Sequence, residues 1–335
     1  MMGRQLSAVA IAAALWGLGA PTDAGQRARP AAPTCGRECL ADIADDYFQA
    51  LLKRDPRGLP WAAKPKFTEN NVALPVGDGL WGTIDGFGPN ILKVTDPQTG
   101  TVAWFGVVRE RDILSFWGGR MKVVGGRIGE VETVVVRKAH QNGGPWSDPA
   151  KLAFDPIYLQ PIPAAKRLTR AKLIAVAEGY FDTLQKNNGV LHTKFAAACA
   201  RQENGQITAG DPDPKSGRNH MFCGPQFEPG YFAWDDRVRD RRYTLVDPEH
   251  GLVLASVFID HSGKTTEITL RDGTKTKPPK MMPDTAHVLE LFKVDADGAI
   301  PRAETVLGAT LYRAPSPWTL DGAPTTHRLA SYGRP

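Results

Sequence analysis

The stretches LKVTDPQTGTVAWFGVV (Leu92 to Val108) and YTLVDPEHGLVLASVFI (Tyr243 to Ile259) share one pattern, D-P-x-x-G-x-V, flanked on both sides by apolar and β-branched residues. Proline at the second position presets φ, the aspartate can accept a backbone hydrogen bond, and Gly100 or Gly251 tolerates positive φ. Each stretch therefore predicts a β-hairpin, and its recurrence constrains the whole chain to a duplicated module. Four further matches fall in the same order. ADDYFQALLKRD (Ala44 to Asp55) answers AEGYFDTLQKNN (Ala177 to Asn188), and Phe67 with its ENN answers Phe195 with a later ENG. Lys122-Val123 answers Lys293-Val294, and EVETVVV (Glu130 to Val136) answers RAETVLG (Arg302 to Gly308). The offset grows from 133 at the tyrosines to 151 at the turns and 172 at the final strands, which insertions in the second copy explain. Ordered self-similarity of this kind is the signature of tandem architecture.

Each half opens with an amphipathic helical period. Leu40, Ile43, Tyr47 and Leu51 mark the first, ended by Pro56 and Gly58, and Leu173, Val176, Tyr180 and Leu184 mark the second. An irregular reach holding FTENN and GDGLWG follows the first helix. Strands are then predicted over Ile91 to Thr95, Thr101 to Arg109, Arg120 to Val124 and Ile128 to Arg137, the last alternating and β-branched. Residues 139–167, rich in Pro and Gly and without period, read as a connector. The predicted fold class is α+β, with modules over residues 36–138 and 168–314 and a tail over 315–335. Disorder is expected only at the ends and in the connector.

At 335 residues the chain suits two domains. Residues 1–24 read as a signal peptide, with Arg4, an apolar run from Leu6 to Ala20, and small Thr22 and Ala24 before the cut. A Pro/Ala-rich arm, 25–35, comes next. Export to the periplasm or the medium follows, with no membrane span after cleavage. The net charge of +5 is spread, as in DDRVRDRR (Asp235 to Arg242), and predicts a solvated surface rather than a nucleic-acid face. Export permits disulfides. Four cysteines allow three connectivities. Pairing Cys199 with Cys223 closes the polar stretch from Gln202 to His220, which leaves Cys35 with Cys39. Neither spacing suits zinc, so no metal and no cofactor is expected.

The order of helix, irregular reach and closing strands resembles the nuclear-transport-factor-2-like fold. That likeness implies two tandem cone-shaped modules, each a curved antiparallel sheet wrapped on N-terminal helices. GDGLWGT (Gly77 to Thr83), RDRR (Arg239 to Arg242), Asp247 with Gly251, and Asp260-His261 make the chain similar to a group of secreted bacterial and fungal proteins to which no activity is attached. The wider superfamily contains cofactor-free isomerases, dehydratases and lyases as well as binding modules, so fold does not settle chemistry.

Cone pockets are lined by the first helix and the concave sheet face. Tyr47 and Tyr180 are candidates there, with Trp81, Trp104, Phe116 and Trp117 as an apolar wall. Glu132 and Glu304 sit among apolar residues, where a raised carboxyl pKa suits a general base, although alternation could turn them to solvent. His192, His220, His261 and His287 all fall in the second half, which is therefore the expected working half. Tyr180, His220, His261 and Glu304 are the catalytic candidates, and Tyr47, Trp81, Trp104, Trp117, Trp234 and Glu132 the ligand-binding ones. His261 is read as an exposed histidine whose replacement leaves stability nearly unchanged. GxSxG, HExxH, P-loop and Rossmann patterns are missing from the sequence. The reading is a cofactor-independent lyase or isomerase acting on a hydrophobic or aromatic small molecule, as monomer or homodimer. The alternative is a non-catalytic small-molecule-binding or protein-interaction module forming an intrachain pseudo-dimer.

Overall fold

The computed structural model describes residues 35–140, 144–279 and 282–318. The signal-like segment and most of the arm and tail lie outside these residues. Helix α1 spans Arg37–Leu52 and is followed by strands β1 (Trp61–Glu69), β2 (Val72–Ala73), β3 (Ile84–Phe87), β4 (Leu92–Asp96), β5 (Thr101–Glu110), β6 (Ile113–Val124) and β7 (Arg127–Val136). The second half contains α2 (Arg170–Lys186), β8 (Lys194–Glu203), β9 (Gln206–Ala209), α3 (Cys223–Phe227), β10 (Arg237–Asp247) and β11 (Leu252–His261). A small hairpin, β12 (Ile268–Thr269) with β13 (Lys275–Thr276), precedes β14 (Asp284–Lys293) and β15 (Ala299–Leu311).

The two large sheets share a strand order. The first runs β2-β1-β7-β6-β5, with β3 and β4 end to end along the outer side of β5. The second runs β9-β8-β15-β14-β11-β10, so the single long β10 covers the edge that β3 and β4 divide between them. The β10 register shifts between Arg239 and Arg242, and Asp240 there adopts φ +52°. The sheets are mixed, which corrects the antiparallel expectation. FTE belongs to β1, paired parallel to β7, and β8 pairs parallel to β15 in the same way.

The Asp-Pro turns form as read. Gly100 and Gly251 have φ +69° and +60°, and a Cβ at either would strike the carbonyl oxygen of Val123 or Val294. Each glycine carbonyl accepts from that same valine amide at 2.7 Å. This explains why the Lys-Val pair repeats along with the turn.

The layers run α1, first sheet, second sheet, α2. One core packs α1 on the first sheet, a second packs α2 on the second sheet, and a third lies between the sheets. Leu92, Phe105 and Val134 there meet Leu245, Leu289 and Val306. The supposed connector belongs to this middle core as well. Leu152 and Tyr158 are buried in it, so 144–167 is ordered, contrary to expectation. The tail also packs up to its last described residue. Trp318 donates through Nε1 to Thr68 Oγ1 at 3.1 Å and lies beneath the Lys66 and Arg120 cations.

Reciprocal ion pairs tie the halves together. Arg37, at the start of α1, clamps Asp247 of the second turn at 2.6 and 2.8 Å. Arg170, at the start of α2, clamps Asp96 of the first turn at 2.8 and 3.0 Å. A cation at a helix N-terminus opposes the macrodipole, and the bidentate carboxylate offsets that cost. Burial would raise both carboxyls, but the guanidinium hydrogen bonds outweigh it and hold each below its usual range.

The disulfides are Cys35–Cys39 and Cys199–Cys223. The first closes the opening turn of α1, whose N-cap Gly36 offers no side chain. The second ties α3 to β8. Among the described residues no helix is long and apolar enough to cross a membrane.

Arg170→Met leaves Asp96, 1% exposed, without its cation. We expect a loss of about 3 kcal/mol in urea unfolding. Arg57→Ala, which removes an exposed pair with Asp55, should leave the urea midpoint nearly unchanged. Equal effects would show that the reciprocal pairs do not hold the halves.

Candidate functional site

Among the described residues, the two equivalent interiors are filled differently. In the first half Trp104 of β5 sits opposite Gly119 of β6, and a Cβ at 119 would overlap its indole. Trp104 packs on Trp117 at 5.2 Å and on Phe48 at 5.3 Å, while Tyr47 meets Trp81 at 5.4 Å. These rings fill the space. Tyr47, Trp81, Trp104 and Trp117 are at most 1% exposed and serve as core, which corrects their reading as a ligand wall. In the second half the corresponding pair is Ala255 opposite Glu290, and Val288 stands two residues before Glu290, as Trp117 stands before Gly119. The lost rings leave a cavity of about 380 Å³.

The inner end of that cavity is polar. Arg201, on β8, donates to the Tyr180 hydroxyl at 3.1 Å, to Gln226 Oε1 at 2.8 Å and to Thr208 Oγ1 at 3.1 Å, and pairs with Glu203 at 3.0 Å. Burial would lower its pKa, but the charges of Tyr180, Glu203 and Glu290 outweigh that, so it stays a cation. The Cys199–Cys223 bridge fixes β8 to the helix that carries Gln226. Burial pushes the Tyr180 hydroxyl well above its ordinary value, so it remains a protonated donor. Glu290 is 3% exposed and its Oε1 has no hydrogen-bond partner. Burial, reinforced by the Glu203 charge and opposed by Arg201, pushes its carboxyl up to about 8.

At the outer end His261 Nδ1 lies 2.8 Å from Asp284 and Nε2 3.1 Å from Asp235, with Trp234 packed on the ring at 5.2 Å. Burial would lower the imidazole pKa, but hydrogen bonds to the two aspartates outweigh it and hold the ring up to about 9. His261 is thus a buried, clamped cation at 6% exposure, not the exposed histidine expected. Removing it would leave two facing carboxylates.

The remaining candidates lie elsewhere. His220 is exposed and outside the cavity, its Nδ1 bonded to the Asp211 carbonyl at 2.7 Å. Glu304 is buried on the opposite face of β15, beside a smaller cavity, with Gln202 at 3.5 Å as its hydrogen-bond partner, and burial raises its carboxyl well above the usual range. Glu132 faces neither solvent nor a pocket. It stands between the sheets, bound by Arg120 at 2.7 Å, by both terminal nitrogens of Arg242 and by Ser256 at 3.0 Å. Burial would raise it, but those guanidinium charges hold it well below the carboxylate range, so it cannot serve as a base. The DDRVRDRR stretch is likewise not a solvated surface. Arg239 pairs with Asp260, Arg241 with Glu178 and Asp182, and Arg242 with Glu132.

Asp247, Glu249 and His250 lie close enough to hold a metal ion, but Arg37 already binds both carboxylates.

A family model described as a domain of unknown function (DUF8021) matches residues 166–307, the stretch from α2 to β15 that contains the cavity. No curated protein matches the chain. The chain is also similar to a crystal structure of a protein from Sphaerobacter thermophilus, at 20% identity over 29% of this chain and 95% of that one, with a TM-score of 0.25. A score that low carries no argument about fold.

Sequence reasoning pointed to Asp235 as an orienting partner for a histidine but missed Arg201, Glu290 and Asp284. A signal for Glu290 was present in HVLELF, where a lone carboxylate takes the same strand face as Val288 and Phe292. The match of Trp104 with Ala255 was a second.

Glu290 also sets a pH signature. Its folded pKa, about 8, exceeds the unfolded value near 4.5, so between those limits the folded state holds the extra proton and stability falls as pH rises. His261, near 9 against about 6.5 unfolded, loses its contribution between those values. Glu290→Gln should make the decline from pH 5 to 8 shallower by on the order of 3 kcal/mol, leaving the part that His261 and Glu304 contribute, in urea unfolding across pH. An unchanged slope in that window would contradict the assignment.

Proposed function

We propose that the protein is an exported, cofactor-independent acid–base enzyme of lyase or isomerase type, acting on a hydrophobic or aromatic small molecule in its second half. The observation that carries this reading is Glu290, a buried carboxyl with an unpartnered oxygen, lining the same cavity end as a tyrosine hydroxyl that Arg201 polarises. A pKa near the working pH is what a group that both takes and returns a proton needs. Because the Tyr180 oxygen accepts from Arg201, its own proton is free to be donated, and that donation strengthens as charge develops on a substrate oxygen. The ionised fraction of Glu290 would remove a proton from the carbon next to a carbonyl, and the electron pair would move to the oxygen held by Tyr180. Return of the proton to another carbon gives an isomer, and loss of a neighbouring leaving group gives an elimination product.

The matching strand orders support the view that the chain is two nuclear-transport-factor-2-like modules, with the inter-sheet core replacing a dimer interface. The two disulfides and the lack of a membrane-crossing helix among the described residues fit a secreted protein. A non-catalytic binding module is the second reading, favoured by one observation. Both nitrogens of His261 are already bound by carboxylates, as in a structural clamp.

Exchange of the α-protons of 2-tetralone in D2O, followed by NMR, separates the two. The enzyme reading predicts exchange above the buffer rate, reduced at least about a hundredfold in Glu290→Gln and unaffected in Tyr47→Phe. Binding of 2-tetralone with no catalysed exchange would favour the binding module.

A further inference from the structure

The cavity wall is an ordered ladder. Directly opposed residues of antiparallel strands share a face, so β11, β14 and β15 present four rungs on the cavity side, of which all but Ala255, Val257 and Leu311 line the lumen. From the inside outward these are Ala255–Glu290–Thr305, Val257–Val288–Leu307, Ile259–Ala286–Ala309 and His261–Asp284–Leu311. Six residues of strand separate the first rung from the last on β14, about 20 Å at 3.4 Å per residue. Burial lessens only slightly along this axis on β14, from 3% exposure at Glu290 to 9% at Asp284. The ladder is thus polar at its closed end, apolar over two rungs, and polar again at a collar formed by His261, Asp235 and Asp284.

We infer that the pocket is a one-ended sleeve that takes an uncharged, elongated amphiphile oxygen-first, seating a carbonyl at Glu290 and laying an apolar body along the two middle rungs toward the collar. The inference deepens the acid–base reading and rests on it for the identity of the inner group. Length selection follows from the rungs. Val257, Val288, Leu307, Ile259, Ala286 and Ala309 offer no side-chain hydrogen bond over that span, so a polar group placed there would be stranded. Charge selection follows from the inner end. Arg201 is already paired with Glu203 and bonded to Tyr180, Gln226 and Thr208, so an anionic head would enter without a counter-ion of its own. The Tyr180 hydroxyl supplies the donor for a carbonyl oxygen, and the neutral Glu290 carboxyl beside it offers no charge to attract a cation.

Isothermal titration of the full chain with the 2-alkanones from pentan-2-one to undecan-2-one tests the sleeve without requiring turnover. Affinity should rise about fourfold per methylene, the equivalent of about 0.8 kcal/mol, and level off once the chain reaches the collar. Alkanoates and alkylamines of matched length should bind at least tenfold more weakly at pH 7. Val288→Thr, nearly isosteric, should reduce the increment per methylene while the unfolding midpoint confirms a folded protein. A ketone series with no length dependence, or alkanoates that bind as tightly as ketones, would overturn the sleeve. A flat series alongside Glu290-dependent exchange of 2-tetralone would sink the sleeve alone. Length-dependent binding without any exchange would uphold the sleeve and sink the catalytic reading.

Discussion

Two carboxylates at the ends of two hairpins hold this molecule together. Asp96 and Asp247 each stabilise their own turn by accepting backbone amides, and each is gripped by the arginine that opens the helix of the other half. Both are almost fully buried, so each depends on that cation, together with the amides and side chains of its turn, to remain ionised. The pairs cross reciprocally, which fixes α1 and α2 on the outside and leaves the sheets to bury their remaining faces against each other. Glu132 completes the arrangement from within, drawing Arg120 of its own sheet and Arg242 of the other onto one carboxylate. The equivalent Glu304 has no such set. Its cross-strand partner is Leu291 where Glu132 has Arg120, so the internal symmetry is broken at this charge.

A second break in the symmetry decides which interior is open. A rigid outer frame lets one copy be filled and the other hollowed without changing the fold, because the filling is local. In the first half glycine at 119 admits the Trp104 indole, and rings close the space. In the second half alanine at 255 withdraws the ring, and the strand partner becomes a carboxyl with one oxygen left without a hydrogen bond. An unsatisfied buried oxygen costs stability, and a site that keeps one in an open cavity holds it ready for another molecule. His261 is the opposite case. Its imidazole is fully bound, so its part is to shape and charge the entrance rather than to carry a free lone pair.

Much of the frame was legible in the sequence. The Asp-Pro turns, both amphipathic helices, the β-branched run of β7 and both cysteine pairings could be read because each depends on local geometry or on spacing. The parallel pairing of β1 with β7 was not legible, since residues 61 to 69 mix proline, lysine and aromatics without a period. Nor was the order in the connector, where Leu152 and Tyr158 are anchored by a core assembled from both halves. The cavity lies in the half that the count of histidines pointed to, and most of the residues named from the sequence lie outside it. Tyr180, Trp234 and His261 line the cavity, whereas His220, Glu304 and Glu132 do not. A single strand cannot tell a carboxylate that faces a cavity from one that faces a second sheet, because both alternate with apolar neighbours.

The central claim is that one cross-strand pair, tryptophan–glycine in one half and alanine–glutamate in the other, determines which interior is open. Transferring the first pair onto the second half, as Ala255→Trp with Glu290→Gly, tests it directly when binding of undecan-2-one is measured by titration calorimetry alongside thermal unfolding. The account predicts a folded protein, at least as stable as the parent, with undecan-2-one binding lost. A folded double variant that binds undecan-2-one as the parent does would contradict it.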